Sequence, residues 1–145
     1  MKKIIDIEFG SSRYEELVNM RYKVLMQPLG LKFLDMHREL EANYLHVGMI
    51  EDLDDCLIGG VMLAPSGNES IRMLQVAVDN KYQGEGLGKK IISFAENKAR
   101  DAGYKHIFMN AMLSVVDFYE KLGYKKDGDV FEDKGITFLK MSKDL

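Results

Sequence analysis

The chain has 145 residues, 46% of them hydrophobic and 30% charged, with 20 lysines and arginines against 23 acids for a formal net charge of −3. That length suits one domain, residues 1–145, with a core of its own, and the acidic balance argues against a nucleic-acid or anionic-membrane partner. No apolar run approaches the roughly 20 residues a bilayer needs, and the start lacks the pattern of a secretory signal, so a cytoplasmic location is expected.

Lys3 to Phe9 alternates Ile5, Ile7 and Phe9 with Asp6 and Glu8, a half-buried first strand. Ser11 or Ser12 caps a helix, with Glu15 placed as the capping-box partner of Ser12. Tyr14, Leu17, Val18, Arg21, Val24 and Leu25 follow at helical intervals, and the helix must end before Pro28. Asp35 to Glu41 reads as a second short helix at the surface. Tyr44 to Ile50 and Cys56 to Leu63 read as strands around an acidic turn at Asp52 to Asp55. Cys56 is the only cysteine, which permits no internal disulfide, and it reads as a small core residue. Ser70 to Val78 completes an antiparallel meander.

After Val78 come Asp79 and Asn80, then Gln83-Gly84-Glu85-Gly86-Leu87-Gly88. Beyond these, Leu87, Ile91, Ile92, Phe94 and Ala95 form a helical stripe with lysines and Glu96 opposite, closing near Gly103. Strand, glycine turn and helix together deliver unpartnered N–H groups at a helix N-terminus, which suits phosphate oxygens. A nucleotide-triphosphate loop needs Ser or Thr after its lysine, but Lys90 follows Lys89; a dinucleotide fingerprint needs a different glycine spacing. Lys105 to Ala111 is the next strand, expected parallel to Ser70–Val78 through a right-handed crossover. Ser114 to Leu122 reads as a helix stopped by Gly123, and Tyr124 to Phe131 pairs with Gly135 to Met141 in a closing hairpin. The expected order is β-α-α-β-β-β-α-β-α-β-β, an α/β fold with a mixed seven-stranded sheet. His37, His46 and His106 lie without metal-ligand spacing, so no metal is expected.

Gln83-x-x-Gly86-x-Gly88, after a strand ending Val-Ala-Val, resembles the pyrophosphate loop of the GNAT superfamily of acyl-CoA-dependent N-acetyltransferases, of the small single-domain bacterial type. Phe118-Tyr-Glu-Lys-Leu-Gly-Tyr124 is similar to that superfamily's second signature, in the right order with a helix and a strand between, and Arg21 to Gly30 also resembles small bacterial members. The resemblance implies a sheet splayed between Ser70–Val78 and Lys105–Ala111, with acetyl-CoA as co-substrate. It implies pantetheine contacts at Val76 and Val78, and pyrophosphate contacts from Gln83, Gly84, Glu85, Gly86, Leu87, Gly88 and Lys89. An oxyanion donor is expected near Ala77 or Val78, and Tyr119 is expected to protonate the departing thiolate of coenzyme A.

The chain departs from the family where Met112 stands in place of a common asparagine. Ser114 joins the expected cofactor contacts, with Asn110 the alternative. Thr137-Phe138 replaces a Pro-His pair near the last strand, so a histidine that would line the acceptor site is missing. Glu51, Glu69, Gln75 and His46 are candidates for acceptor contacts or a general base. The implied activity is direct transfer of acetyl to a primary amine of a small molecule or peptide. A non-catalytic acyl-CoA-binding module and a nucleotide-binding domain are the alternatives, and a homodimer is an expectation of the family.

Overall fold

A computed structural model of the chain describes residues 1–32 and 38–145. Its strands are β1 (Lys2–Ile7), β2 (Leu45–Glu51), β3 (Cys56–Pro65), β4 (Ser70–Val78), β5 (His106–Met112), β6 (Lys125–Asp133) and β7 (Ile136–Asp144). The α-helices are α1 (Ser12–Arg21), α2 (Leu87–Asp101) and α3 (Val116–Lys121). All seven strands join one sheet in the order β1-β2-β3-β4-β5-β7-β6. Every neighbouring pair is antiparallel except β4 and β5, the pair that α2 connects. The mixed α/β sheet expected from the sequence is therefore present.

Two apolar clusters cover opposite faces of the sheet. On one, Leu87, Ile91, Ile92, Ala95 and Ala99 of α2 meet Val47, Ile58, Val61, Ile71, Met73 and Ile107. On the other, Tyr14, Leu17 and Val18 of α1 meet Ile7, Ile50, Leu57 and Ala77. Gly60 explains how closely α1 rests on the sheet: a Cβ there would lie 2.3 Å from Leu17 Cδ1 and 2.9 Å from the Val47 carbonyl oxygen. No side chain fits between helix and strand at that point. Fully burying Leu17 contributes about 1.5–3 kcal/mol.

Four local readings need correction. The α1 cap is Ser11, one of the two serines expected, whose Oγ accepts from the Tyr14 N–H at 3.1 Å. Glu15 pairs with Arg38 and does not close a capping box on Ser12. The helix also does not stop cleanly at Pro28: it widens into a π turn over Tyr22–Met26, then tightens to a 3₁₀ turn over Gln27–Leu29 that Gly30 ends in left-handed conformation. The second short helix is a 3₁₀ turn over Arg38–Asn43; the part assigned to residues 35–37 lies outside the described residues. Helix α3 likewise starts later than expected, after a 3₁₀ turn at Leu113–Val115.

A buried polar cluster fixes α1 against the Arg38–Asn43 turn. Glu41 Oε1 accepts from Arg21 Nη2 at 2.7 Å and from the Tyr14 hydroxyl at 2.8 Å. His46 Nε2 lies 2.8 Å from the Glu41 carbonyl oxygen, and burial lowers the His46 pKa. A depressed histidine pKa gives stability that is full above the unfolded value of about 6.5 and falls as pH drops below it, because the unfolded chain then binds the proton more readily. Denaturant melts at pH 7.5 and 5.5 are expected to show this loss, and His46→Gln to reduce it. An unchanged pH slope in the variant would remove His46 as the cause.

Candidate active site

The parallel join between β4 and β5 is short. Ser70 pairs with His106, Ile71 with Ile107 and Arg72 with Phe108, and there the pairing ends. From that point β5 continues along β7 as far as Met112–Phe138, while β4 stays with β3. Gln75, at φ +53°, sits where the β3–β4 register shifts, so β4 bends just after the strands part. A cavity of about 510 Å³ fills the opening. Leu74, Gln75 and Val76 line one side, and Met109, Asn110, Ala111, Met112 and Tyr119 the other. Val24, Leu25, Met26, Leu29, Leu31, Phe131, Ile136 and Phe138 form a further wall.

Backbone alternation along β4 decides which groups face the gap. The Asp79 N–H donates to the Ile58 carbonyl at 2.8 Å, and Ala77 is opposite Gly60, so those two residues direct their polar groups to β3. Val76 and Val78 therefore present theirs to the open side. Of the two amides considered as oxyanion donors, Ala77's is turned away and Val78's faces the gap. The Val78 carbonyl already accepts from Gln83 Nε2 at 2.9 Å, so its N–H is the group left for a ligand. Gln83 also donates to Asn80 Oδ1 at 3.0 Å; its side chain ties the loop to the strand end.

The loop then delivers an uncapped helix. Gly84 (φ +87°) and Gly86 (φ +76°) are left-handed, which only glycine adopts without strain. Gly86 is the N-cap residue of α2 and supplies no side-chain hydrogen bond. Lys90 is the first residue whose N–H bonds into the helix, to Gly86 at 3.4 Å, leaving the Leu87, Gly88 and Lys89 amides without helical partners. Gly88 is different from the other two: it is helical, and a Cβ there would be 3.9 Å from Phe118 Cζ and Val78 Cγ2, an ordinary contact. The Leu87 side chain is buried in the core, Lys89 is exposed, and Glu85 reaches Lys2 at 3.6 Å.

Tyr119 is 8% exposed, on α3, with its ring edge-on to Phe118 and Tyr124. Burial pushes its pKa up to about 12. Tyr124 behaves otherwise: its hydroxyl donates to Glu96 at 2.7 Å, and Lys143 joins the same carboxylate at 3.1 Å, a tie between α2 and β7. Asn110 lines the cavity on β5, whereas Ser114 is exposed in the turn before α3. Of the other candidates, Gln75 lines the gap. Glu51 holds the chain's amino terminus at 2.8 Å, Glu69 pairs with Lys105 at 3.5 Å, and His46 belongs to the cluster beneath α1. Arg72, at the vertex, and the wall of Leu25, Leu29 and Leu31 were not anticipated from the sequence. The wall's residues fall in and after the π turn, where helical spacing no longer reports a face; Arg72 was visible only as one cation in an otherwise apolar strand. Among the described residues no three His, Cys, Asp or Glu side chains are grouped to hold a metal ion.

Comparison with known proteins places this geometry in a family. N-acetyltransferase 8B of Homo sapiens is 28% identical over 90 residues, which are 57% of this chain but 40% of that protein, so the chain spans under half the length of this relative. The uncharacterized N-acetyltransferase YitI of Bacillus subtilis is 23% identical over 136 residues, 90% of each protein. A Lactobacillus plantarum crystal structure superposes with a TM-score of 0.89 at 21% identity, covering 99% of this chain and 98% of the other. A GNAT family acetyltransferase from Elizabethkingia anophelis with acetyl-CoA bound superposes with a TM-score of 0.74 at 14% identity, over 99% and 98% of the two chains. The family model for the acetyltransferase (GNAT) domain matches residues 30–145, and the chain belongs to that family.

Proposed function

We propose that residues 1–145 act as one acetyltransferase domain that moves an acetyl group from acetyl-CoA to a primary amine. The observation that carries this is the junction of two features on one strand: the free edge of β4 after Arg72 runs directly into the uncapped start of α2. The residues fit the cofactor at both ends. An extended amide-bearing arm can pair with Val76 and the Val78 N–H along the open edge, as an added strand would. The amides from Leu87 to Lys89 suit a pyrophosphate, with Gly84 and Gly86 holding the loop and Glu85 turned toward Lys2. Helical Gly88 has no local conformational need to be glycine, which accords with close approach of a ligand.

Bound acetyl-CoA supplies an activated acetyl thioester and a thiol leaving group. The chain's own part is position and one proton. The acceptor nitrogen bonds to the acetyl carbon as the carbon–sulfur bond breaks, the nitrogen loses a proton and the sulfur gains one. Tyr119 stays protonated through the physiological range and lines the gap, so its hydroxyl serves as the acid at sulfur. The Val76 N–H, further along the open edge from the pyrophosphate site, is the strand donor for the oxyanion, with the Val76 carbonyl and the Val78 N–H left to the arm. Direct attack needs no acyl-enzyme, and Cys56 begins β3, outside the lining of the cavity.

Saturating acetyl-CoA is expected to raise the melting temperature by about 5–15 °C, since a ligand at 100 times its Kd adds about 2.7 kcal/mol. A shift with Mg-ATP and none with acetyl-CoA would overturn the reading in favour of nucleotide binding. Binding without thiol release for any amine in a broad panel would favour the non-catalytic module.

A further inference from the structure

The gap has two walls with different chemistry. The β4 edge and the glycine loop suffice for the cofactor, which leaves the wall of Leu25, Leu29, Leu31, Phe131 and Phe138 without a role in holding it. That wall is apolar throughout, and Phe131 and Phe138 stack with ring centroids 5.6 Å apart. Among the described residues Asp133 is the one acidic side chain in the lining, and it is exposed at the β6–β7 turn. An acceptor with several ammonium groups would find little to neutralise it there.

Among the described residues Arg72 is the cation of the same cavity. It stands at the vertex, opposite Phe108 on β5 and Ala64 on β3, and it is half-buried. Its Nε is buried without a hydrogen-bond partner, and among the described residues no carboxylate pairs with the guanidinium. The neighbouring cation, Lys140, is engaged: it lies 4.8 Å from the Phe108 ring centroid and 3.7 Å from Asp127. A guanidinium facing a mostly apolar cleft with no counter-ion is poorly satisfied, and its planar fork matches a carboxylate bidentately.

Resting on the acetyltransferase reading above, we infer that the acceptor is an α-amino acid with an apolar or aromatic side chain, its carboxylate held by Arg72 and its side chain against the Leu25–Phe138 wall. The chemistry suits the position. Amine and carboxylate share one carbon, so holding the carboxylate at the vertex leaves the amine at the place where the strands part. Leu74, the first residue beyond the join on that face, is about 7 Å further along the strand. The products are the N-acetyl amino acid and free thiol, with no change of oxidation state.

The test compares amines that differ only in the carboxylate: L-phenylalanine against 2-phenylethylamine, and L-leucine against 3-methylbutylamine, with spermidine as the polycation. At saturating acetyl-CoA, kcat/KM is expected to be at least tenfold higher for the amino acid of each pair. Arg72→Gln is expected to raise the KM for phenylalanine about tenfold while the KM for acetyl-CoA and the melting temperature stay put, and Arg72→Lys to recover part of the loss. Calorimetry of L-phenylalanine binding in the presence of coenzyme A gives a readout free of turnover, and the same variant is expected to weaken it. Equal or better use of the bare amines, preference for spermidine, or a KM increase in Arg72→Gln that is the same for both members of a pair would overturn the assignment. If no amine releases thiol, the transfer reading fails by itself. Calorimetry then decides the site: Arg72-dependent phenylalanine binding upholds it, and no binding overturns it.

Discussion

Tyr119→Phe is expected to lower turnover by at least tenfold while acetyl-CoA affinity and melting temperature remain close to those of the parent. The substitution removes one hydroxyl and leaves the ring in place between Phe118 and Tyr124. With no described protein partner on that hydroxyl, its loss strands no buried group. General acid–base groups contribute about 10²–10⁴ in rate, or roughly 2.7–5.5 kcal/mol, so a tenfold fall is the conservative bound. With a pKa near 12, Tyr119 also adds no alkaline limb to the rate profile below about pH 10; a rising limb at lower pH reports the acceptor amine losing its proton. A variant that melts several degrees lower with turnover intact would make Tyr119 a packing residue and send the search for the proton donor elsewhere.

Gly86→Val and Gly88→Ala are expected to separate two reasons for glycine in one loop. At Gly86 a Cβ meets nothing within 4 Å, so the cost there is conformational: φ +76° is strained for a β-branched residue by about 1–3 kcal/mol. Relief of that strain turns the first amides of α2, and coenzyme A affinity falls by more than tenfold, beyond about 1.4 kcal/mol. At Gly88 the backbone is helical and the added methyl has room, so alanine stabilises the free protein by about 0.5–1 kcal/mol. If the pyrophosphate packs against Gly88, the same methyl weakens coenzyme A binding. Calorimetry and thermal melts on both variants check this. Unchanged coenzyme A affinity in a folded Gly86→Val protein would remove the loop as the cofactor's anchor.

How much of this was legible depended on whether a signal was local. The β4 strand could be read to its ends, Ser70 and Val78, because apolar residues run between two turn clusters. The α2 stripe was equally plain, since Leu87, Ile91 and Ala95 recur at helical spacing and all three are buried. Boundaries were lost where a second interaction competes. Ser11, not Ser12, caps α1, because its hydroxyl also donates to the Glu8 carbonyl and is held in place. The Glu15 carboxylate that would have closed the box is drawn off by Arg38, a partner 23 residues away.

The site divides the same way. The glycine loop announces itself by spacing within a few residues, and Tyr119 by its place in the Phe118–Tyr124 segment that resembles the family's second signature. The apolar wall does not, since Leu29, in the turn after α1, lies far in sequence from Phe131 and Phe138, which pair on β6 and β7. Gln83 shows a subtler limit. Its side-chain carboxamide donates to the Val78 carbonyl, a role that no pattern of residue types distinguishes from direct binding.

The early end of the β4–β5 ladder has a consequence for self-association through strand edges. Unpaired strand edges are ordinarily the places where chains add to one another, and proteins protect them with charge, proline or short length. Here two such edges lie inside the sheet, bounded by the Arg72–Phe108 vertex at one end, and flanked by strands already paired on their far sides. A strand from another molecule would have to thread into that wedge with its side chains attached. A slender chain of amides with few substituents meets less of an obstacle, so the interior placement of the edges leaves the hydrogen-bonding groups available while disfavouring an incoming strand.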